Sequence, residues 1–291
     1  MRHILTLIAD RQSTSLSAAM IRRVGEAING GDPTILSEGE AADIPIEDAP
    51  DAIALQEALD NAPVDWIVTK TRGRRKGLLV ADMDSTIVTS ETLDELAAYA
   101  GVQAEITAIT KLSMNGELDF SEALRRRVAM LRGLSLDALQ QTWDKTELMP
   151  GAKELIATMR KHNALTALVS GGFTFFTGKV AELVGFDRHH ANVLIDDGQA
   201  LTGEVGEPIL DRDAKKAALL RMAEERGLKL AATLAVGDGA NDLAMLAVAG
   251  LGVAYHAKPI VAREARARID HGNLRALLFA QGYPDSAFVT A

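Results

Sequence analysis

The 291-residue chain is 47% hydrophobic and 24% charged, the makeup of a folded protein with room for one large unit or two smaller ones. A net charge of -9 sets its surface against nucleic acid and anionic membrane, so a small anionic ligand needs a local positive site or a metal ion. With no cysteine there are no disulfides and no thiolate metal sites, which suits a reducing cytoplasm.

The chain opens with an apolar stretch too short for a secretory signal. Residues 3–9 predict a strand. Residues 15–28 have helical periodicity and stop at Asn29-Gly30-Gly31. A strand over 34–37, a short helix over 50–59 and a strand over 64–69 complete a small α/β unit over 1–72. This unit resembles the ACT-like domains found ahead of some metabolic enzymes. A regulatory role and a role as spacer or oligomerisation domain, for example in a homodimer, both stay open. Thr71 to Lys76 reads Thr-Arg-Gly-Arg-Arg-Lys, a polar linker expected to be a solvated surface loop.

From residue 77 apolar runs alternate with helical stretches. Residues 78–81, 164–169 and 233–236 are short and rich in Val, Leu and Ala, the pattern of strands buried on both faces. Helices are expected over 152–162, 177–184, 214–226 and 242–249. Such alternation predicts a Rossmann-like, doubly wound parallel α/β sheet, with ligands at the C-terminal ends of the strands. This core takes 77–87 and 149–291. Residues 88–148 hold no good strand; helices over 90–100, 104–114, 120–132 and 135–143 predict a helical cap inserted after the first core strand. Residues 234–255 are the most apolar but carry Asp238 and Asp242 among glycines, so they read as strand, loop and helix rather than a membrane span.

Three strand ends deliver polar groups to one place. Asp82-Met83-Asp84-Ser85-Thr86 follows the first, and two buried carboxylates so close need a cation or a proton. Ser170-Gly171-Gly172 follows the second, a hydroxyl and backbone N–H groups suited to cradling an anion. Gly237-Asp238-Gly239-Ala240-Asn241-Asp242 follows the third, with carboxylates suited to a metal and glycines that admit a close backbone. Lys215, near a helix start, offers a fixed positive charge.

Asp-x-Asp-x-Thr, then Ser, then Lys, then Gly-Asp-x-x-x-Asp resembles the signature of the haloacid dehalogenase superfamily, over roughly residues 77–260. Within it, Ser90-Glu91-Thr92, Phe120, the Arg125-Arg126-Arg127 run, 169–173 and Ala257-Lys258-Pro259 are similar to the phosphoserine phosphatases. The resemblance implies a Mg²⁺-dependent phosphomonoesterase acting on O-phosphoserine through an aspartyl-phosphate, the last step of L-serine biosynthesis. It implies Asp82 as nucleophile and Asp84 as general acid and base. Mg²⁺ would be held by the Asp82 carboxylate, the Asp84 backbone carbonyl and Asp238, with Asp242 behind them. Ser170, Gly171, Lys215 and Asn241 would hold the phosphate. In the cap, Glu91 would take the substrate ammonium and Arg127 its carboxylate, with Met114 and Phe120 closing over the methylene. Spacing alone leaves open which of the three arginines faces inward.

Other chemistries fit less well. A nucleophile elbow around Ser170 needs Gly where Leu168 stands. A dinucleotide fingerprint at 237–242 fails at Asp242. A phospho-accepting receiver module is only about a hundred residues long and lacks an acid at the position of Asp84. Another phosphatase or phosphotransferase of the same superfamily remains the nearer alternative. His189-His190 has no acidic companions at a metal spacing and reads as surface; Trp66 and Trp143 read as packing residues.

Overall fold

Strand alternation divides the molecule. The structure, a computed structural model, describes residues 2–114 and 117–290; the side chains of Met114 and Arg212 lie outside the described residues. The N-terminal part runs β1 (His3–Ala9), α1 (Ala18–Ala27), β2 (Thr34–Ser37), β3 (Ala41–Ile46), α2 (Ala52–Ala58) and β4 (Val64–Lys70). Ser17 and Asp51 cap the two helices, accepting from Met20 N–H and Ile53 N–H. The strands form an antiparallel sheet in the order β2-β3-β1-β4.

Successive residues of a strand face opposite sides, and here both sides are buried. Leu5, Leu7, Ile44 and Val64 pack under the helices with Ile21, Val24 and Leu55. Ile8, Leu36, Ala41 and Ile67 face the other way and join the core of the rest of the chain. β3 has no expected counterpart, because Asp43 and Pro45 are poor strand formers. Its burial between β1 and β2 overrides that propensity.

The second part continues with β5 (Leu78–Ala81). The insertion then supplies α3 (Thr92–Ala100), α4 (Gln103–Met114), α5 (Phe120–Ala129) and α6 (Leu136–Asp144). Its neck is tied by a bridge between Val88 and Leu148 and by Thr89 N–H donating to Glu147 O. The core resumes with α7 (Ala152–Lys161), β6 (Leu165–Phe173), α8 (Thr174–Val184) and β7 (Arg188–Asn192). A hairpin, β8 (Leu194–Asp196) and β9 (Leu201–Val205), follows and bonds to the cap: Gly133 N–H donates to Leu201 O and Leu201 N–H to Leu134 O. Last come α9 (Arg212–Glu225), β10 (Thr233–Gly237), α10 (Leu243–Val248), β11 (Leu251–Tyr255), α11 (Pro259–Glu264), β12 (Ala267–Ile269) and α12 (Ala276–Ala280).

Among the described residues the larger sheet is parallel throughout, in the order β12-β11-β10-β5-β6-β7. Leu79, Ala81, Leu168 and Val236 pack on one face, Leu78, Val80, Val169 and Ala235 on the other, so the sheet is covered on both sides as expected. β7 and β12, unannounced in the sequence, are short, more polar strands at the two edges, where one side lacks a partner strand. Among the described residues no helix is long and apolar enough to cross a membrane.

One expectation is overturned. Arg74 of the basic linker is not solvated. It chelates the Asp43 carboxylate and donates to Thr6 Oγ1 and to the carbonyls of Phe279 and Ala280, sealing the small sheet against α12. Charge pairing in a largely buried seam outweighs the exposure that its polar neighbours suggested.

Candidate active site

Strand register assembles the site. Ala81 pairs with Val236 on one side and with Leu168 on the other. The residues just beyond, Asp82, Asp238 and Ser170, therefore emerge side by side at the C-terminal edge, where the strand order reverses around β5. They open into a cavity of about 730 Å³ roofed by the cap. A second cavity, about 680 Å³, lies between α1 and β2 and is rimmed by exposed Arg22, Glu26 and Asp32.

Lys215 sits at the centre of the charge balance. Its side chain is 1% exposed, and Nζ lies 2.7 Å from Asp82 Oδ2 and 2.7 Å from Asp242 Oδ1. Two carboxylates hold the ammonium charged despite burial, so its pKa is raised. Asp242 also accepts from Gly239 N–H, and burial raises its pKa. A Cβ on Gly237 would lie 2.3 Å from Asp242 Cγ, so only glycine fits there. Asp82, Asp238 and Asp242, all buried, bring carboxylate oxygens within 4.8 Å of one another, an acidic triad that could hold an ion. Burial, only partly offset by Lys258, pushes Asp238 up to about 6.

Asp84 is not part of that triad. Its carboxylate accepts from Thr92 N–H at the start of α3 (3.0 Å) and from Ser170 Oγ (3.4 Å). It keeps some exposure to the cavity, yet burial in the surrounding protein, helped by Glu91, pushes it up to about 7. Ser85 between the two acids takes a φ of 54°, uncommon for a residue with a side chain, and its hydroxyl donates to Glu91 Oε1. Gly172 N–H donates to Ser170 Oγ (2.9 Å).

The cap closes the other side. Phe120 Cζ lies 3.4 Å from where a Cβ on Gly171 would stand. Arg125 pairs with Glu207 and Arg126 with Glu122 on the outer face, while Arg127 lines the cavity. Arg127 donates to Thr110 Oγ1 and Ala123 O, and among the described residues it forms no salt bridge. Burial lowers its pKa. Glu91 and Asn241 also line the cavity; Met114, expected here, lies outside the described residues in its side chain.

Sequence reasoning missed three contributors. Lys258 Nζ stands 3.4 Å from Asp238 Oδ2 and 3.8 Å from Glu91 Oε1. It was legible only as part of an Ala-Lys-Pro match. Asn192, 2% exposed, donates to Gly171 O and accepts from Leu210 N–H, bracing the backbone at Gly171. Thr110 holds Arg127. Neither Asn192 nor Thr110 has a local signal.

Residues 79–247 match the haloacid dehalogenase-like hydrolase family. The chain is 43% identical over 238 residues to a probable phosphoserine phosphatase of Schizosaccharomyces pombe, covering 81% of this chain and 80% of that one. A crystal structure of a probable phosphoserine phosphatase from Vibrio cholerae superposes with a TM-score of 0.79 at 30% identity, over 98% of this chain and 88% of that one. A structure described as the phospho-aspartyl intermediate analogue of phosphoserine phosphatase superposes at 0.65 with 40% identity, over 70% of this chain and 98% of that one.

Proposed function

The chain belongs to the haloacid dehalogenase-like hydrolases, and from that premise we propose that it hydrolyses O-phospho-L-serine to L-serine and phosphate, closing L-serine biosynthesis in the cytoplasm. The observation that carries the substrate is the cap: Arg127, with no salt bridge among the described residues, and Glu91 line one cavity with Asp82 and Ser170. A guanidinium suits a carboxylate in a bidentate pair, and a carboxylate suits an ammonium. A small phosphorylated amino acid offers all three complementary groups.

Phosphoryl transfer is mostly positioning and charge neutralisation. Lys215 Nζ, 2.7 Å from Asp82 Oδ2, holds that carboxylate in place. An Asp82 oxygen attacks phosphorus as the bond to the seryl oxygen breaks, giving an aspartyl-phosphate. Asp84, protonated near neutrality, passes its proton to the departing oxygen. It then takes a proton from the water that attacks the aspartyl-phosphate, freeing Asp82. Ser170 Oγ, Gly171 N–H, Asn241 and Lys215 hold the phosphate.

The buried carboxylates, hard oxygen donors with nothing softer among them, fit Mg²⁺. Asp82, Asp238 and the Asp84 carbonyl would hold it, with Asp242 behind. Bound there, it would offset charge on the phosphoryl oxygens.

Phosphate release from O-phospho-L-serine, with Mg²⁺ and with EDTA, beside Asp82→Asn, tests the proposal. Release that needs Mg²⁺ and vanishes in the variant is the expected result. Release from a generic aryl phosphate but none from phosphoserine would keep the chemistry and discard the substrate.

A further inference from the structure

The small N-terminal sheet reaches the active site through one buried carboxylate. Asp65 lies on the face of β4 turned toward the core and is 4% exposed. It accepts three backbone N–H groups of a single turn in the other part of the chain. Asp270 donates at 2.8 Å, His271 at 3.1 Å and Gly272 at 2.7 Å. A Cβ on Gly272 would lie 3.2 Å from Asp65 Oδ2, so the turn sits tight against the sheet.

That turn grips the loop after β11. The Gly272 carbonyl accepts from His256 Nε2 at 2.8 Å, which fixes that nitrogen as the protonated one. His256 N–H donates to Ile269 O at 2.8 Å. Held at both ends, His256 takes a φ of 43°, a left-handed conformation that a residue with a side chain adopts only when its surroundings impose it. Two residues on, Lys258 N–H donates to Asp238 O, and its Nζ stands between Asp238 and Glu91. The Lys258 side chain is 47% exposed, so its backbone rather than side-chain packing determines where the ammonium stands.

We propose that Asp65 is a positioning residue for the active site: through the 270–272 turn and His256 it holds Lys258 against Asp238 and Glu91. The N-terminal sheet is thus part of the scaffold of the catalytic pocket. Removing an acceptor oxygen from Asp65 leaves buried N–H groups of the turn unsatisfied, and the turn moves. His256 then relaxes, and the cation beside Glu91 is no longer fixed. Binding of the substrate ammonium suffers more than the chemical step. In its kinetic arm the inference rests on the phosphatase reading.

The test uses the full chain with Mg²⁺ and O-phospho-L-serine. Asp65→Asn keeps the shape but turns an NH₂ toward a backbone N–H. It is expected to lower kcat/KM by about tenfold, chiefly through KM. In a Lys258→Ala background the same change is expected to have less than about a twofold effect, because the path then ends nowhere. Asp43→Asn, on the same face but bonded to Arg74, serves as the control and leaves KM unchanged. His256→Ala, at the exposed end of the path, reproduces the KM rise without burdening folding. Equal losses in both backgrounds, or a loss no larger than that of Asp43→Asn, would overturn the proposal. Hydrogen–deuterium exchange gives a readout independent of turnover. Amides of 256–258 are expected to exchange faster in Asp65→Asn while α7 is unchanged, and unchanged exchange at 256–258 would equally overturn it. A wild-type chain inert toward phosphoserine would sink the substrate reading, and the exchange arm would still decide this one.

Discussion

Lys215 Nζ lies 2.7 Å from Asp82 Oδ2, with the two side chains 1% and 6% exposed. The same ammonium holds Asp242 at 2.7 Å. One buried cation thus pairs with two acids of the triad, Asp82 and Asp242. Removing one partner from a buried ion pair strands the charge left behind, at a cost of about 3–5 kcal/mol. Lys215→Ala is expected to lower the urea midpoint accordingly and to reduce turnover by about a hundredfold or more. Added Mg²⁺ is expected to restore stability in part and turnover not at all. A variant with wild-type stability would show that the pair does not hold the site together.

The acids of the site link protons to stability. Burial lifts Asp84 from 3.8 to about 7 and Asp238 from 3.8 to about 6. A raised carboxyl pKa means that the folded chain binds protons that the unfolded chain has released. The stability this gives is complete below 3.8 and is lost as pH rises through 6 and 7. A cation that competes for those carboxylates is then most useful in the upper part of the range. The rise in Tm on adding MgCl₂ is expected to be larger at about pH 8 than at about pH 5.5. Differential scanning calorimetry at both values checks this, and equal rises would contradict it.

On the proposed reading, recognition in the cap separates from chemistry below it. Arg127→Ala leaves Asp82, Asp84 and Lys215 untouched. It is expected to reduce kcat/KM for phosphoserine by about a hundredfold, as loss of a charged hydrogen-bonding partner does. Hydrolysis of an aryl phosphate, which has no carboxylate, is expected to stay within about twofold. Arg125→Ala and Arg126→Ala, whose side chains pair on the outer face, are expected to change neither substrate. A matching loss on the aryl phosphate would make Arg127 a structural residue.

Arg74 offers the converse case, stability without catalysis. Its guanidinium chelates Asp43 in the seam between the small sheet and α12, and neither residue lines the pocket. Arg74→Ala leaves Asp43 buried with, among the described residues, only the Thr6 hydroxyl to donate to its carboxylate. A loss of about 3–5 kcal/mol in urea unfolding is expected, with kcat and KM unchanged.

Much of this was legible in the chain. Strands buried on both faces appear as unbroken apolar runs, so 78–81 and 233–236 announce themselves, and the polar residues directly after them are the ones the sheet presents. Asp82, Ser170 and Asp238 were readable for that reason, and so was Lys215 near a helix start. β3, β7 and β12 were not. Asp43 and Pro45, or the run Arg188-His189-His190, carry no strand pattern, and those segments are extended because of what lies beside them.

The local order of residues thus determined which acids and which hydroxyl follow which strand and which lysine lies near a helix start. Only the tertiary structure decided which of three successive arginines faces the cavity, because each residue turns about 100° around a helix and the rotation of α5 is set by its packing. Packing likewise buried Arg74, brought Lys258 to Glu91 and put Asp65 under a turn more than two hundred residues away. Those contacts join segments remote in the chain, and nothing in a local pattern encodes a distance that depends on how two sheets stack.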